Sequence, residues 1–362
     1  MGILRAIFAI SVVFSHSWPT GLMFVGGRNA VQLFYIISGF LISYVLLDTK
    51  SYKNISTFYL NRYLRLYPIY LCVAALTFIF LFVTKQNYLF DIYEKIPKLA
   101  IILLVFSNIF LFGQDWVMFS GIENNLLIFT HDFSDSEVIL YKGLLVPQAW
   151  TLGVELSFYV LAPFILRKKS TIFCLLFISL AIRLYLLKIG VGNKDPWTYR
   201  FFPTELALFL MGALSHQILL PFYKQFKPER LKIISTFATY FLVIFSLAYF
   251  LIPLKEIYKV SLLFVFFIML IPFTFIFQNN SRIDRYIGNL SYPIYINHML
   301  VIWFITYLAN IIGIDNRYIF SISSVLITII FAAILHKYVG IPLEKIRNSI
   351  KIIYPQEGVI KL

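Results

Sequence analysis

Residues 2–17 read GILRAIFAISVVFSHS, an apolar run that contains one arginine, Arg5, and one histidine, His16. On a helix, this spacing returns the two side chains to within about 20° of the same face, with about 16 Å of rise between them. An ionisable side chain inside a membrane helix is costly to place and is therefore a candidate functional residue. Histidine also titrates near neutral pH. We therefore expect this first helix to lie in a membrane and to carry part of the chemistry.

The rest of the chain has the same apolar character. Among its 362 residues, 60% are hydrophobic and only 13% are charged, and a soluble domain has about twice that charged fraction. Such a composition, with long apolar segments along most of the chain, predicts an all-α fold, a polytopic bundle of membrane helices. The apolar segments lie near residues 3–18, 29–47, 64–84, 98–113, 146–166, 171–188, 200–220, 233–252, 257–277, 288–312 and 318–340.

Basic residues in the connections predict how the helices are oriented, since cytoplasmic loops are enriched in lysine and arginine. Basic clusters at residues 167–169, 224–232 and 282–285 and in the tail alternate correctly with the intervening segments if all of them are cytoplasmic. Lys50 and Lys53 place the connection after the second segment on the same side.

The loop at residues 114–146 is acidic and is expected on the outer side. The chain must then cross the membrane an odd number of times between the cytoplasmic connection after the second segment and this outer loop. Two apolar segments, however, lie between these two connections. Segment 98–113 is slightly short for a span, so we expect it to re-enter from the outer side or to lie buried in protein. About ten spanning helices remain, with both termini cytoplasmic. The membrane domain is then residues 1–340, followed by a short cytoplasmic tail at 341–362.

The composition argues against several other classes of protein. The net charge is +14, and the surplus basic residues lie in short connections between apolar segments. The positive-inside rule and contact with anionic lipid account for such residues, so nucleic-acid binding is not expected. Cys72 and Cys174 fall in apolar segments, which predicts buried thiols and no disulfide. The motifs GxSxG, HExxH and GxxxxGK are absent. His131 is a lone loop histidine, so a solvated side chain is expected and no metal site is predicted.

Arg62 and Arg65 lie three residues apart near the start of the third apolar segment and share a helix face. Two guanidinium groups there suit a phosphate-bearing ligand on the cytoplasmic side, and plain anchoring at the membrane boundary is the alternative. Pro68 predicts a kink or a break in the same helix. Ser38 and Gly39, inside the second segment, permit either close helix packing or a backbone opening for a ligand arm.

Two later segments carry further candidates. Glu155 lies inside an apolar run opened by Trp150, and a carboxylate there needs a partner, a proton or water. It is either functional or part of a salt bridge that holds the bundle. His298 follows Tyr295 by one helical turn and either forms a site or packs in the core. Other ionisable residues in the apolar segments are expected to pair within the bundle: Arg183, Glu205 and His216.

Five blocks of the sequence occur in a recognisable order. They are Leu4-Arg5 to His16, Ala30 to Ser38-Gly39-Phe40, Phe58 to Pro68, Trp150 to Pro163, and Ser291-Tyr292 to His298. Together they resemble the acyltransferase-3 family of integral membrane O-acyltransferases, which modify bacterial cell-surface glycans. Asn61 stands where the family often has an arginine, and Thr151 replaces the usual serine.

The resemblance implies an enzyme of the bacterial inner membrane. It implies acyl-coenzyme A, most often acetyl-CoA, as a cytoplasmic co-substrate and not a permanently bound cofactor, and a sugar hydroxyl as the acceptor. His16 would act as general base or take the acyl group itself. A transporter or exporter is the main alternative, and a non-catalytic scaffold is the second. The expected site comprises His16, Arg5 and Glu155 as catalytic residues; Arg62, Arg65, Ser38 and Gly39 for the donor; and Trp150, Tyr295 and His298 as site-forming residues.

Overall fold

The computed structural model describes residues 1–17, 23–49, 52, 54–86, 88–313 and 316–351. Within this described part the chain forms twelve helices and one short β-hairpin, besides isolated 3₁₀ turns. This confirms the predicted all-α polytopic fold. Lys50, Lys53 and residues 352–362 of the expected tail lie outside the described residues. The helices are α1 Gly2–Ser17, α2 Gly27–Leu47, α3 Ile55–Val83, α4 Tyr88–Lys95, α5 Lys98–Phe110, α6 Trp150–Ile165, α7 Lys169–Lys188, α8 Phe202–Tyr223, α9 Pro228–Leu251, α10 Glu256–Asn280, α11 Arg282–Ile312 and α12 Arg317–Ser349, and the strands are β1 Ser120–Glu123 and β2 Leu126–Phe129.

In the described residues, eight helices are long and apolar enough to cross a membrane, namely α2, α3 and α7 to α12. The other three predicted segments form α1, α5 and α6, which have 16, 13 and 16 residues. At 1.5 Å per residue, α5 is about 20 Å long, short of a hydrocarbon core of about 30 Å. Leu99 and Ile102 on α5 are more than 60% exposed, so this helix is not enclosed in protein. Its re-entry into the bilayer stays a prediction.

The helix α3 is unbroken from Ile55 to Val83 and has Pro68 in its interior, so the expected break is wrong and the alternative, a kink, stays a prediction. Membrane helices tolerate proline where neighbouring groups satisfy the freed backbone. The expected burial of both thiols is also wrong: Cys174 is exposed and Cys72 only half-buried, and both are free thiols. An apolar sequence context does not imply burial in a membrane protein, since lipid can cover an apolar side chain as well as protein can.

The helices form two compact units. The first unit comprises residues 1–58, 162–172 and 208–362, and in it α1 packs along α11. The carboxylate of Asp284, in the first turn of α11, accepts the backbone N–H of Gly2 at 2.7 Å. It also accepts the N–H of Ile3 at 2.8 Å. These N–H groups have no partner inside their own helix, so a residue late in the chain caps the first helix.

Glycines allow α2 and α8 to approach closely in the same unit. A Cβ atom on Gly39 would overlap the carbonyl oxygen of Phe209, and one on Gly212 would overlap that of Ile36. Small residues permit this backbone contact between membrane helices. The crossing therefore fixes α2 against α8 at Gly39.

The predicted pairing of His216 is confirmed in the first unit, within the π-turn at Ser215–Leu219 of α8. Its Nδ1 lies 2.9 Å from the hydroxyl of Ser43 and its Nε2 lies 3.3 Å from a carboxylate oxygen of Asp48. The two contacts join the end of α2 to α8. The expected boundary at residue 340 falls inside α12, which continues to Ser349.

The second unit comprises residues 59–161 and 173–207. Within it, Arg183 on α7 forms an ion pair with Glu205 on α8, with Nη2 and Oε1 2.6 Å apart. Glu205 is fully buried, so the pairing expected from the sequence is confirmed and supplies the partner that a buried carboxylate requires. The long loop between α5 and α6 contains the β-hairpin.

Candidate functional site

The first unit brings together three of the residues expected in the site. The imidazole rings of His16 on α1 and His298 on α11 have their centroids 5.1 Å apart. The ring of Tyr295, one turn before His298, lies 5.8 Å from it. His298 is fully buried, whereas His16 is exposed. We call these three residues the histidine cluster.

The hydrogen bonding of His298 fixes its tautomer. Its Nδ1 lies 2.5 Å from the backbone carbonyl oxygen of Tyr295. Because a carbonyl oxygen can only accept, Nδ1 carries the hydrogen and Nε2 of the neutral ring keeps a lone pair. Nε2 is buried and has no hydrogen-bond partner among the described residues. His16 therefore has a neighbour that can accept a hydrogen bond.

Arg5 lies on the same side of α1 as His16, since both contact α11. The guanidinium atom Nη1 of Arg5 would be 3.7 Å from a Cβ atom built on Gly288, and the ring of His16 faces His298. The shared helix face inferred from the sequence is thus present. The rise along α1 keeps Arg5 about 16 Å from His16, so the two side chains do not contact each other.

Gly39 has the packing role that the sequence left as one of two alternatives, through its contact with the backbone of Phe209. Ser38 is buried beside it, at 8% exposure. Contact of either residue with an acyl donor stays a prediction.

The second unit brings together Arg62, Arg65, Glu155 and Tyr159. Arg62 on α3 is only 4% exposed, and its Nη2 donates to Oδ1 of Asn61 at 3.1 Å. The hydroxyl of Tyr159 on α6 donates to Oε1 of Glu155. Both arginines lie near enough to Tyr159 to act on its hydroxyl electrostatically. We call these four residues the arginine–glutamate cluster.

A cavity of about 440 Å³ borders the arginine–glutamate cluster, between α3, the end of α5 and α6. We call it the α3–α5–α6 cavity. Its wall contains Arg62, three aliphatic side chains and five aromatic rings, which belong to Tyr59, Tyr63, Phe110, Phe112 and Tyr159. The volume lies within the range of about 300–1,000 Å³ that is usual for small-molecule sites.

Trp150 is held by residues that the sequence reasoning missed. The guanidinium carbon of Arg200 lies 4.3 Å from the centroid of the Trp150 ring, a cation–π contact. Asp195 accepts two hydrogen bonds from Arg200, at 2.7 and 2.8 Å. Tyr199 packs on Trp150 at 4.9 Å. The available signal was the combination of aromatic and charged residues in the connection before α8.

Asp115 is a second residue that the sequence reasoning missed, because it looked like one of many acidic residues in a solvated loop. It is only 4% exposed and packs against Gly153 of α6. Its Oδ1 has no hydrogen-bond partner among the described residues. Burial raises the pKa of this carboxyl from its ordinary value of 3.8 to about 7, although the backbone N–H groups of Asp115 and Trp116 act in the opposite direction. Its protonation state therefore changes near neutral pH.

Within the described part of the chain, histidine, cysteine and acidic side chains do not group in threes as a metal site would need. The absence of a metal stays a prediction. His131, expected to be solvated, is exposed and stacks its ring on Trp197.

Comparison with known proteins supplies independent information. A family model described as an acyltransferase domain matches residues 1–337. A Staphylococcus aureus (strain COL) protein named "Putative O-acetyltransferase" is 25% identical over 372 residues, which cover 94% of this chain and 56% of that protein. An uncharacterised protein of Aquifex aeolicus (strain VF5) is 28% identical over 176 residues, 46% of this chain and 76% of that protein. The chain thus spans about half the length of the Staphylococcus relative. No solved structure is a significant match.

Proposed function

This chain belongs to the acyltransferase domain family and is a multi-pass membrane acyltransferase, and from that premise we propose its donor, acceptor and mechanism. The donor is cytoplasmic acyl-CoA. The acceptor is a sugar hydroxyl of a cell-surface polysaccharide or of its lipid-linked precursor. The enzyme acts in the bacterial inner membrane with both termini in the cytoplasm. The name of the Staphylococcus relative, an O-acetyltransferase, supports an oxygen acceptor.

The histidine cluster is the observation that carries this proposal. Acyl transfer to an alcohol requires a base, because a neutral hydroxyl is a weak nucleophile. In the proposed step the acceptor oxygen attacks the thioester carbonyl while His16 takes the hydroxyl proton. The carbon–sulfur bond then breaks, and the leaving thiolate receives that proton from His16. The exposure of His16 suits a residue that must reach the acceptor.

His298 acts through His16 in this mechanism. Its Nδ1 hydrogen is committed to the carbonyl of Tyr295, so its Nε2 lone pair can orient the neighbouring imidazole or stabilise its protonated form. This arrangement resembles the general pattern in which a second group orients a catalytic base. His298 is therefore proposed as a positioning residue.

The arginine–glutamate cluster is proposed to serve the donor. Coenzyme A carries phosphates, and arginine binds phosphate through charge-assisted, bidentate hydrogen bonds. Arg62 is buried and Arg65 is half-buried, so both are shielded from the screening that weakens exposed charges. Glu155, bonded to Tyr159, supplies one negative charge in the same cluster as these two arginines.

Replacement of His16 tests the proposal directly. His16→Ala is expected to lower acyl transfer by about 10²–10⁴-fold, the usual contribution of a general base. The measurement is mass spectrometry of surface glycans from a deletion strain complemented with either form, with membrane expression of both verified. His131→Ala is the matched control, since that histidine lies exposed in a loop. Unchanged glycan acylation in the His16→Ala strain would overturn the mechanism.

A further inference from the structure

The β-hairpin of the second unit has hydrogen-bonding groups that do not face its own ladder. The N–H of Thr130 donates to the carbonyl oxygen of Phe119 at 2.9 Å, and these two residues continue the register of the strands. Hydrogen-bonded and non-hydrogen-bonded pairs alternate along an antiparallel ladder. The backbone groups of Ile122 on β1, and those of Leu127 and Phe129 on β2, therefore point away from the partner strand.

The outer side of β1 is closed by the chain itself, whereas that of β2 is open. The carbonyl oxygen of Ile122 accepts the N–H of Glu137 at 3.1 Å, and its N–H donates to the hydroxyl of Ser136 at 2.7 Å. Within the described part of the chain, the outward N–H and C=O groups of Leu127 and Phe129 have no hydrogen-bond partner. We call these backbone groups of β2 the open edge.

The side chains along the open edge are apolar. Residues 126–129 read Leu-Leu-Ile-Phe, and Leu126 and Phe129 are each 65% exposed. Edge strands of soluble proteins usually carry a charged residue or a proline, which prevents pairing with another strand. The sequence from Leu126 to Thr130 has neither. The open edge is therefore a template for a further strand.

The combination of groups decides what covers this edge. Water would bond the open N–H and C=O groups but would leave the apolar side chains exposed. Lipid would cover the side chains but would leave the backbone groups unpaired, which is costly in hydrocarbon. A β-strand supplies both hydrogen bonds and side chains of its own.

A second copy of β2 fits the open edge in one antiparallel register. With Ile128 opposite Ile128 of the other copy, Leu127 lies opposite Phe129 of that copy, and the converse holds by symmetry. Both are then hydrogen-bonded pairs, so every group of the two open edges has a partner. Like charges placed opposite each other would destabilise such a pair, but β2 carries no charge.

We propose that this chain forms a symmetric dimer through the open edge, with the strands in the order β1, β2, β2 and β1. Two copies in one membrane lie at the same depth, and this confinement raises their effective concentration above that of a soluble peptide. A second copy is therefore favoured over an unrelated strand. The dimer needs no assumption about the donor or the acceptor of acyl transfer.

Engineered cysteines test the register. The full chain, with both native cysteines replaced as Cys72→Ser and Cys174→Ser, is oxidised mildly in membranes of the expressing cells. Ile128→Cys should form a disulfide dimer, since the two copies of residue 128 have Cα atoms about 4.5 Å apart. Leu127→Cys is the matched control, because residue 127 is also half-buried. Its two copies lie diagonally, about 7 Å apart, and should cross-link about tenfold more slowly or less.

A proline tests the backbone hydrogen bonds. Leu127→Pro removes an N–H that points outward, so the ladder between β1 and β2 is kept. One hydrogen bond is lost in each copy, which should weaken the dimer by about 30-fold. Energy transfer between labelled copies in proteoliposomes, followed on dilution with lipid, measures this change. Leu127→Ala is the control, since it keeps the N–H and should associate more tightly than Leu127→Pro.

Three results would overturn the dimer. The parent chain could stay monomeric at every protein-to-lipid ratio, which would leave water or lipid on the open edge. Ile128→Cys could cross-link no faster than Leu127→Cys, which would show that collision and not a fixed register brings the copies together. Leu127→Pro could associate as tightly as Leu127→Ala, which would exclude pairing through the backbone of β2.

Discussion

The histidine cluster and the arginine–glutamate cluster satisfy their polar groups in different ways. In the histidine cluster the partner of His298 is a backbone atom, the carbonyl oxygen of Tyr295. In the arginine–glutamate cluster the partners are other side chains: Arg62 donates to Asn61, and Tyr159 donates to Glu155. Backbone partners fix a group in place, whereas side-chain partners can exchange for a ligand. The first arrangement suits a base, and the second suits a donor site.

Replacement of His298 is expected to have the largest effect. His298→Asn keeps a donor near the Nδ1 position but removes the Nε2 lone pair, and His298→Ala removes both. Since the proposed role resides in Nε2, both variants should lower kcat by about 10²-fold, with KM for the donor little changed. Steady-state kinetics in nanodiscs and the pH profile of kcat would check this. A wild-type kcat in His298→Asn would show that only the backbone bond matters.

Removal of Arg62 or Arg65 should raise the KM for acyl-CoA and leave kcat unchanged. Arg62→Gln and Arg65→Gln each remove a charge-assisted contact worth about 1.5–3 kcal/mol, so KM for acyl-CoA is expected to rise tenfold or more. Arg167→Gln, in the exposed basic turn after α6, is the control for simple anchoring. Equal effects at positions 62, 65 and 167 would favour anchoring over phosphate binding.

Asp115 should make the stability of the second unit depend on pH. Its pKa is raised to about 7 in the folded protein, so the folded chain holds a proton there that the unfolded chain has released. Stability must then fall as pH rises from about 4, through the folded pKa, to about 8, and change little above that. The Asp115→Asn variant does not lose stability in this way. Its free energy of unfolding, relative to that of the parent, should therefore rise by about 2 kcal/mol between pH 5 and pH 7.

Thermal unfolding in detergent at both pH values measures this difference. Asp135→Asn, in the same loop but exposed, corrects for the general effect of pH. If the stability of Asp115→Asn relative to the parent is the same at pH 5 and pH 7, the raised pKa of Asp115 is contradicted.

Loss of the Asp284 cap should have the smallest effect. Asp284→Ala removes the acceptor for two N–H groups of α1, and loss of a cap costs about 0.5–2 kcal/mol. A decrease of a few degrees in Tm is expected, with a smaller decrease for Asp284→Asn, which keeps one acceptor oxygen. Asp91→Ala, an exposed acidic residue in the first turn of α4, should change Tm by less than either.

Much of the fold was predictable because hydropathy and helix periodicity are local properties. The spacing of Arg5 and His16 was enough to place both on one face of α1, and the structure turns that face to α11. The unbroken helix at Pro68 was not predictable, because tolerance of proline depends on the surroundings of α3. The exposed Cys174 escaped prediction for a related reason, since hydropathy does not separate lipid-facing from protein-facing residues.

Parts of the candidate site were predictable and parts were not. The sequence identified His16, His298 and Glu155 as costly polar groups in apolar segments. It did not identify Arg200, which holds Trp150, or Asp115, because each lies in a connection where charge is ordinary. The burial of a loop residue depends on the helices that cover it, and no local pattern reports that.

By itself, the sequence determined that this chain forms membrane helices, which residues within them are too polar for lipid, and which family motifs they match. Only the tertiary structure decided that His16 meets His298, that Asp284 caps α1 and that an apolar cavity borders Arg62 and Tyr159. The physical reason is the distance along the chain over which each effect acts. Hydrophobicity and periodicity act over a few turns of one helix, whereas these contacts join helices far apart in the chain and depend on how their surfaces pack.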